Sequence, residues 1–329
     1  MRDPARFASW GWQARKGRPT GLVLPSGHGL GDHLAQWDDS LCPDYWTTDK
    51  LGRRRYLQPG RRARQVETFP GGFAVSERTE LHLAAPRRGD DPPPAVLDHR
   101  AMVALPDGRT VVFAAAGRTV MAVRRLATMD INWRFVRSTF CGMKRTILHE
   151  GGHTECRHVK GLTTPWLNVD DILAIVPIGG PARVSCEPFG KVDSHGVPIA
   201  PADPFGTHAG HTVRLGVCSL APRDYEPGQE IFAACVAFTT NVDAAGTKRV
   251  AETCREDKIA ATTRVYRIRG CDRKHYAVVV NGTDSEARVA VTHAAARRLL
   301  TPNAARIATK PSDHIHLSLI ARGCALLAQ

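Results

Sequence analysis

The stretch Ala101–Phe113, AMVALPDGRTVVF, constrains the fold of this chain more than any other. Two apolar, largely β-branched runs flank Pro106-Asp107-Gly108. Proline presets the φ of a first turn position, aspartate bonds its own backbone, and glycine accepts a positive φ without steric cost. A strand, a tight turn and a returning strand follow from those properties. The same grammar recurs along the chain. Leu81 and Leu83 alternate with Glu80 and His82, Trp166–Pro177 carries an acidic turn at Asp170-Asp171, and apolar runs appear at 212–220, 230–240, 264–269, 276–281, 288–292 and 314–320.

Helix signals are few. Ala294–Leu300 is the clearest, stopped by Pro302, and 244–257 reads as loop or short helix. The expected fold is therefore all-β, because helix falls far below its usual third of residues. Strands at this spacing suit sandwiches. The 329 residues are enough for two domains. We expect a large antiparallel β-sandwich over 1–258 and a small C-terminal β-sandwich over 259–329.

No apolar run approaches the roughly 18 residues of a membrane span. The first residues, Met1-Arg2-Asp3-Pro4-Ala5-Arg6, lead into no apolar stretch of the secretory type. A cytoplasmic location is expected, or a secreted one if a targeting segment precedes this sequence. Nine cysteines, odd in number and without CxxC spacing, are expected to be reduced and structural. Cys218 and Cys235 sit inside apolar runs, where a thiol acts as a small hydrophobe.

Charge gives the first functional hint. The formal net charge of +13 favours polyanionic partners. Arginines cluster at Arg53-Arg54-Arg55 and at Arg61-Arg62-Ala63-Arg64, and four of the six tryptophans fall within the first 46 residues. Aromatic rings stack on the apolar faces of sugars, and arginine forks pair with uronate or sulfate groups. Trp10, Trp12, His33, Trp37, Asp38, Arg53, Arg54 and Arg55 are thus the candidate substrate-binding residues. Single-stranded nucleic acid would use similar residue types, but no recognised nucleic-acid motif accompanies them. The Gly/His-rich loop 26–33 lacks the GK[ST] of a phosphate loop.

His149-Glu150-Gly151-Gly152-His153 matches H-E-x-x-H, in which two histidines one helical turn apart hold zinc and the glutamate acts as base. With His158 it defines an alternative reading, a zinc-dependent hydrolase with His149, His153 and His158 as ligands. That chemistry requires a helix, and each glycine costs a helix about 1 kcal/mol relative to alanine. The flanks read instead as two strands joined by a glycine turn. Asp38-Asp39 and Asp170-Asp171 are adjacent acids, which point to opposite faces of a strand, so neither pair forms a glycosidase dyad alone.

Several segments together resemble a known family: Trp37-Asp38-Asp39, Met102–Phe113, Arg145–Gly152, Trp166–Val176 and the Tyr-Ala-Val-Val-Val-Asn-Gly-Thr strand from Tyr276. They are similar to the β-rich regions that follow the helical toroid in bacterial polysaccharide lyases and related heparinase-like carbohydrate-active enzymes. The resemblance implies a carbohydrate-active β portion that binds or helps process an acidic polysaccharide, needs no cofactor, and belongs with a helical domain upstream. The catalytic residues of that family come largely from the toroid, so no catalytic residue is carried over. A non-catalytic structural or interaction module is the remaining alternative.

Overall fold

The structure is a computed structural model that describes residues 6–11, 20–25, 45–84, 92–128, 131–136, 146–189, 210–216, 221–260, 263–283, 285–292, 298–307, 314–321 and 323–329. The fold is all-β, built from antiparallel sheets, with one α-helix among the described residues. No helix there is long and apolar enough to cross a membrane. The chain divides into two compact units that are each discontinuous in sequence. The first takes residues 1–43, 130–219 and 237–252, and the second 44–129, 220–236 and 253–329.

In the first unit, Arg6–Gly11 and Thr20–Pro25 form a hairpin. A four-stranded sheet runs Ile131–Val136, Gly210–Leu215, Ala182–Phe189, Lys160–Thr164. Gly152–Glu155, Thr146–His149, Leu167–Val169 and Leu173–Ile178 lie side by side in that order. Asp170 and Asp171 make the expected turn, both with positive φ (54° and 59°). Each carboxylate anchors a backbone amide, Thr146 N–H at 2.8 Å on Asp170 and Ala244 N–H at 2.7 Å on Asp171. The helix Ala244–Thr253 starts there, with Asp243 Oδ1 accepting the Gly246 N–H at 2.6 Å. A side-chain acceptor at this position satisfies an amide that has no partner within the helix. Buried Asn168 ties the strand Leu167–Val169 to this helix start, donating to the Val242 carbonyl at 2.6 Å and to Thr247 Oγ1 at 2.7 Å.

The second unit contains a four-strand meander, Gln58–Phe69, Gly72–His82, Val96–Ala104, Thr110–Thr119. Its last turn is the hairpin expected from the sequence. Ala104 pairs with Val111, and Gly108 sits at φ 72°. Asp107 accepts the amides of Arg109 and Thr110 at 2.9 and 2.8 Å, and the Thr110 hydroxyl at 2.6 Å. The same carboxylate accepts the Cys271 amide at 3.0 Å, which joins the hairpin tip to the turn at 270–274.

A second sheet of this unit runs Arg223–Tyr225, Val123–Thr128, Tyr45–Thr48, Arg54–Tyr56. Tyr45 projects from it onto the meander, where its hydroxyl donates to Asp98 Oδ1 at 2.8 Å. A Cβ at Gly117 would collide with that hydroxyl, so the contact needs glycine there.

Residues 255–329 of the second unit hold two further sheets. One orders Arg255–Ala260, Thr263–Arg269, His275–Asn281, Cys324–Ala328, Arg298–Leu299, and the other Ala287–Thr292, His314–Leu319, Ala305–Ile307. Every second residue points into a shared core: Val265, Ala277, Val279, Val289, Val291, Leu317, Leu319, Ala325 and Leu327. Such alternation is what two facing antiparallel sheets require. Of the anticipated helix at 294–300, residues 293–297 lie outside the described set. Arg298 and Leu299 are in a strand, paired with Ala328 and Leu327. Cross-strand pairing overrides their helix propensity.

Six described cysteines are free thiols, and all but Cys271 are buried. Burial pushes the Cys254 and Cys324 thiols up to about 12 and Cys235 well above its ordinary value. Thiolate is the reactive form, so these groups should be inert in the native chain. We expect iodoacetamide at pH 8 to leave all three unmodified until denaturant is added. Peptide mapping that found any of them alkylated in the folded protein would contradict this.

Candidate anion-binding face

The arginine run Arg53–Arg55 closes a hairpin whose other strand is Tyr45–Thr48. Asp49 organises the turn. Its Oδ1 accepts the amides of Leu51 and Arg53, both at 2.9 Å, and Gly52 takes φ 77°. Its Oδ2 accepts from Arg53 Nε at 2.8 Å, and Arg55 lies 3.8 Å away. The Arg53 amide, then its guanidinium, hold the Asp49 carboxyl below the usual carboxylate range. The turn therefore keeps its charged anchor wherever acidic sugars are ionised.

Strand alternation splits the arginines. Tyr45 points inward to Asp98, so Trp46 faces outward, and the register puts Tyr56 opposite Trp46 and Arg54 opposite Thr48. Arg54 Cζ sits 4.8 Å above the Trp46 ring, and the Trp46 and Tyr56 rings are 6.3 Å apart at 53°. Trp46 is buried beneath these neighbours, whereas Tyr56 is 40% exposed. A cation placed over an indole face is attracted to it, which restrains the guanidinium while its fork can still donate. Among the described residues Arg54 makes no ion pair. Arg53 and Arg55 lie on the opposite side of the strand, with side chains 67% and 69% exposed. Arg54–Tyr56 is the outermost strand of its sheet. All three cations and the Tyr56 ring therefore border one open edge.

This edge brings together three of the residues expected to bind substrate, Arg53, Arg54 and Arg55. Trp10 lies on the strand Arg6–Gly11 of the first unit, opposite Gly21. Trp12, His33, Trp37 and Asp38 lie outside the described residues. Trp46 and Tyr56 were not singled out from the sequence. The available signal was Asp49-Lys50-Leu51-Gly52, a turn that folds the arginine run back onto Tyr45-Trp46-Thr47-Thr48.

The H-E-x-x-H segment forms a hairpin. His149 pairs with Gly152 and Leu148 with His153, so the two-residue link is Glu150-Gly151, one residue earlier than the Gly-Gly link expected. Partners share a face and neighbours alternate, so His149 and His153 point to opposite sides of the ribbon. The His149 ring is engaged locally, Nε2 3.1 Å from Thr154 Oγ1 and Nδ1 accepting the Gly151 amide at 3.2 Å. His158 ends a short 3-10 turn, Cys156–His158. Among the described residues no three His, Cys, Asp or Glu side chains converge on a point where they could share a metal ion. No protein-family model matches the chain, and no curated protein sequence is significantly similar to it.

Proposed function

We propose that this chain is the β portion of a carbohydrate-active protein and binds an acidic polysaccharide along the Arg53–Arg55 edge. The observation that carries the reading is the Arg54 guanidinium carbon 4.8 Å above the Trp46 ring beside the exposed Tyr56 ring, with the exposed guanidiniums of Arg53 and Arg55 on the other side of the same edge strand. A sugar ring stacks its C–H face on Tyr56, while carboxylates or sulfates along the polymer take the arginine forks. A net charge of +13 supports the approach of a polyanion. The resemblance to heparinase-like β regions gives the same substrate class, and the all-β architecture is compatible with it. No residue is assigned a catalytic role.

Affinity electrophoresis of the chain in gels containing pectin, alginate or heparin tests the proposal. Retardation is expected at low salt with at least one polymer. It should be lost at high salt, because exposed ion pairs are screened. Replacing Arg53, Arg54 and Arg55 together by alanine should abolish it. Unretarded migration in every gel at low salt would sink the reading.

A further inference from the structure

A second group of arginines, on the strand Gln58–Phe69, has an arrangement that its protein neighbours do not account for. Arg64 is paired in register with Glu77, which is paired with Arg100; one step along, Arg62 is paired with Thr79, which is paired with Asp98. Two rows on one sheet face thus carry three guanidiniums and two carboxylates. Asp98 is taken by Arg100 and by the Tyr45 hydroxyl. Glu77, 1% exposed, accepts from Arg64 Nε at 3.1 Å and from the Thr79 hydroxyl at 3.0 Å. Arg62 reaches it only loosely, Nε to Oε1 3.9 Å.

The Arg62 side chain is 14% exposed, yet its two terminal nitrogens have no hydrogen-bond or ion-pair partner among the described residues. Burial of this kind is costly for a guanidinium and lowers its proton affinity. The fork nitrogens themselves are not fully buried, so the fork opens to solvent and can be reached by an anion. Toward the sheet edge the row opens, with the Arg64 side chain 43% exposed and Val66 53% exposed. Glu77 is the carboxylate that aligns both Nε atoms, and the Arg62 fork beyond it is unfilled by any described residue.

We propose that Arg62 and Arg64 form a second anion site that takes one monoanionic group, a carboxylate or a sulfate ester, from an acidic sugar. The site itself is argued from the residues above; only the sugar as carrier of the charge rests on the proposed function. Thr79 and Glu77 act as positioning residues.

The experiment follows arginine Nε–Hε signals of the ¹⁵N-labelled full chain during titration with methyl glucuronide, methyl sulfate and neutral methyl glucoside. Saturable shifts are expected with at least one anion and none with the glucoside, and the tighter anion identifies the charge the site prefers. Arg62→Gln with Arg64→Gln should weaken binding at least fivefold. Arg62→Lys, which keeps the charge but loses the fork, should weaken it at least threefold. Absence of saturable shifts in the unmodified chain, or unchanged affinity in the Arg62 and Arg64 variants, overturns the site. Gel retardation that persists while the small anions fail removes this inference and leaves the Arg53–Arg55 reading standing; small-anion binding without retardation does the reverse.

Discussion

Asp98→Ala should lower the unfolding free energy of the second unit by about 3–5 kcal/mol, the range for breaking a buried ion pair by removing one partner. Asp98 is 1% exposed, Arg100 sits against it with its side chain 5% exposed, and the Tyr45 hydroxyl donates to it from the facing sheet. Every residue of the strand Val96–Ala104 is buried, so the charges of Asp98 and Arg100 have no route to water. Truncation removes the nearest carboxylate from the buried Arg100 guanidinium and the acceptor of the Tyr45 hydroxyl. Tyr45→Phe keeps the ion pair and deletes one hydrogen bond, so it should cost only about 1–2 kcal/mol. Urea denaturation of both variants checks the order. A loss below about 1 kcal/mol for Asp98→Ala would mean that the pair contributes little to stability.

Asn281→Ala should be the next most damaging change. This side chain is fully buried at the end of His275–Asn281. Its amide donates to the carbonyls of Ser285 and Ile320, both at 2.9 Å, and its oxygen accepts the Thr283 amide at 3.0 Å and hydroxyl at 2.7 Å. One side chain thus satisfies a turn and joins it to the end of the strand His314–Leu319. Losing four bonds made by a fully buried side chain should cost about 3 kcal/mol, although the Ser285 and Ile320 carbonyls each keep a second donor, the Thr283 hydroxyl and the Gly323 amide. Asn281→Asp should be as harmful, because a carboxylate would face those two carbonyls without protons to donate. Faster amide exchange through Ala287–Thr292 and His314–Leu319 should accompany the loss. Exchange rates that stay at the unmodified level would contradict the assigned role.

What was legible in the sequence follows the range of the interactions. The hairpin at Ala101–Phe113 is encoded by three adjacent residues, and the structure has Asp107 and Gly108 acting as their chemistry dictates. The acidic turn at Asp170-Asp171 was equally local. The H-E-x-x-H hairpin was legible as a hairpin, but its turn lies one residue earlier, because register also answers to the neighbouring strand Leu167–Val169. The helix at Ala244–Thr253 depends on Asp243 and on Asp171, seventy-three residues away in sequence, and composition alone left it ambiguous. At the candidate site the arginines were legible by their clustering. Their division between two faces, and the stacking of Arg54 on Trp46, required the strand pairing. The buried charges of Asp98, Arg100 and Glu77 had no sequence signal, because a polar residue in a strand ordinarily reads as solvent-facing.

The central claim is that the Arg53–Arg55 edge recognises an acidic polymer, and its most direct test is affinity as a function of salt. Dissociation constants for polygalacturonate and for uncharged dextran should be measured for the chain and for its R53A/R54A/R55A variant. No dextran binding is expected, and polygalacturonate binding should weaken steeply with salt. In the variant the logarithmic salt slope should be shallower by about two to three, by analogy with counterion release from nucleic acids, at roughly 0.7–0.9 per cationic contact. Equal affinity and slope in the variant and the unmodified chain would contradict it.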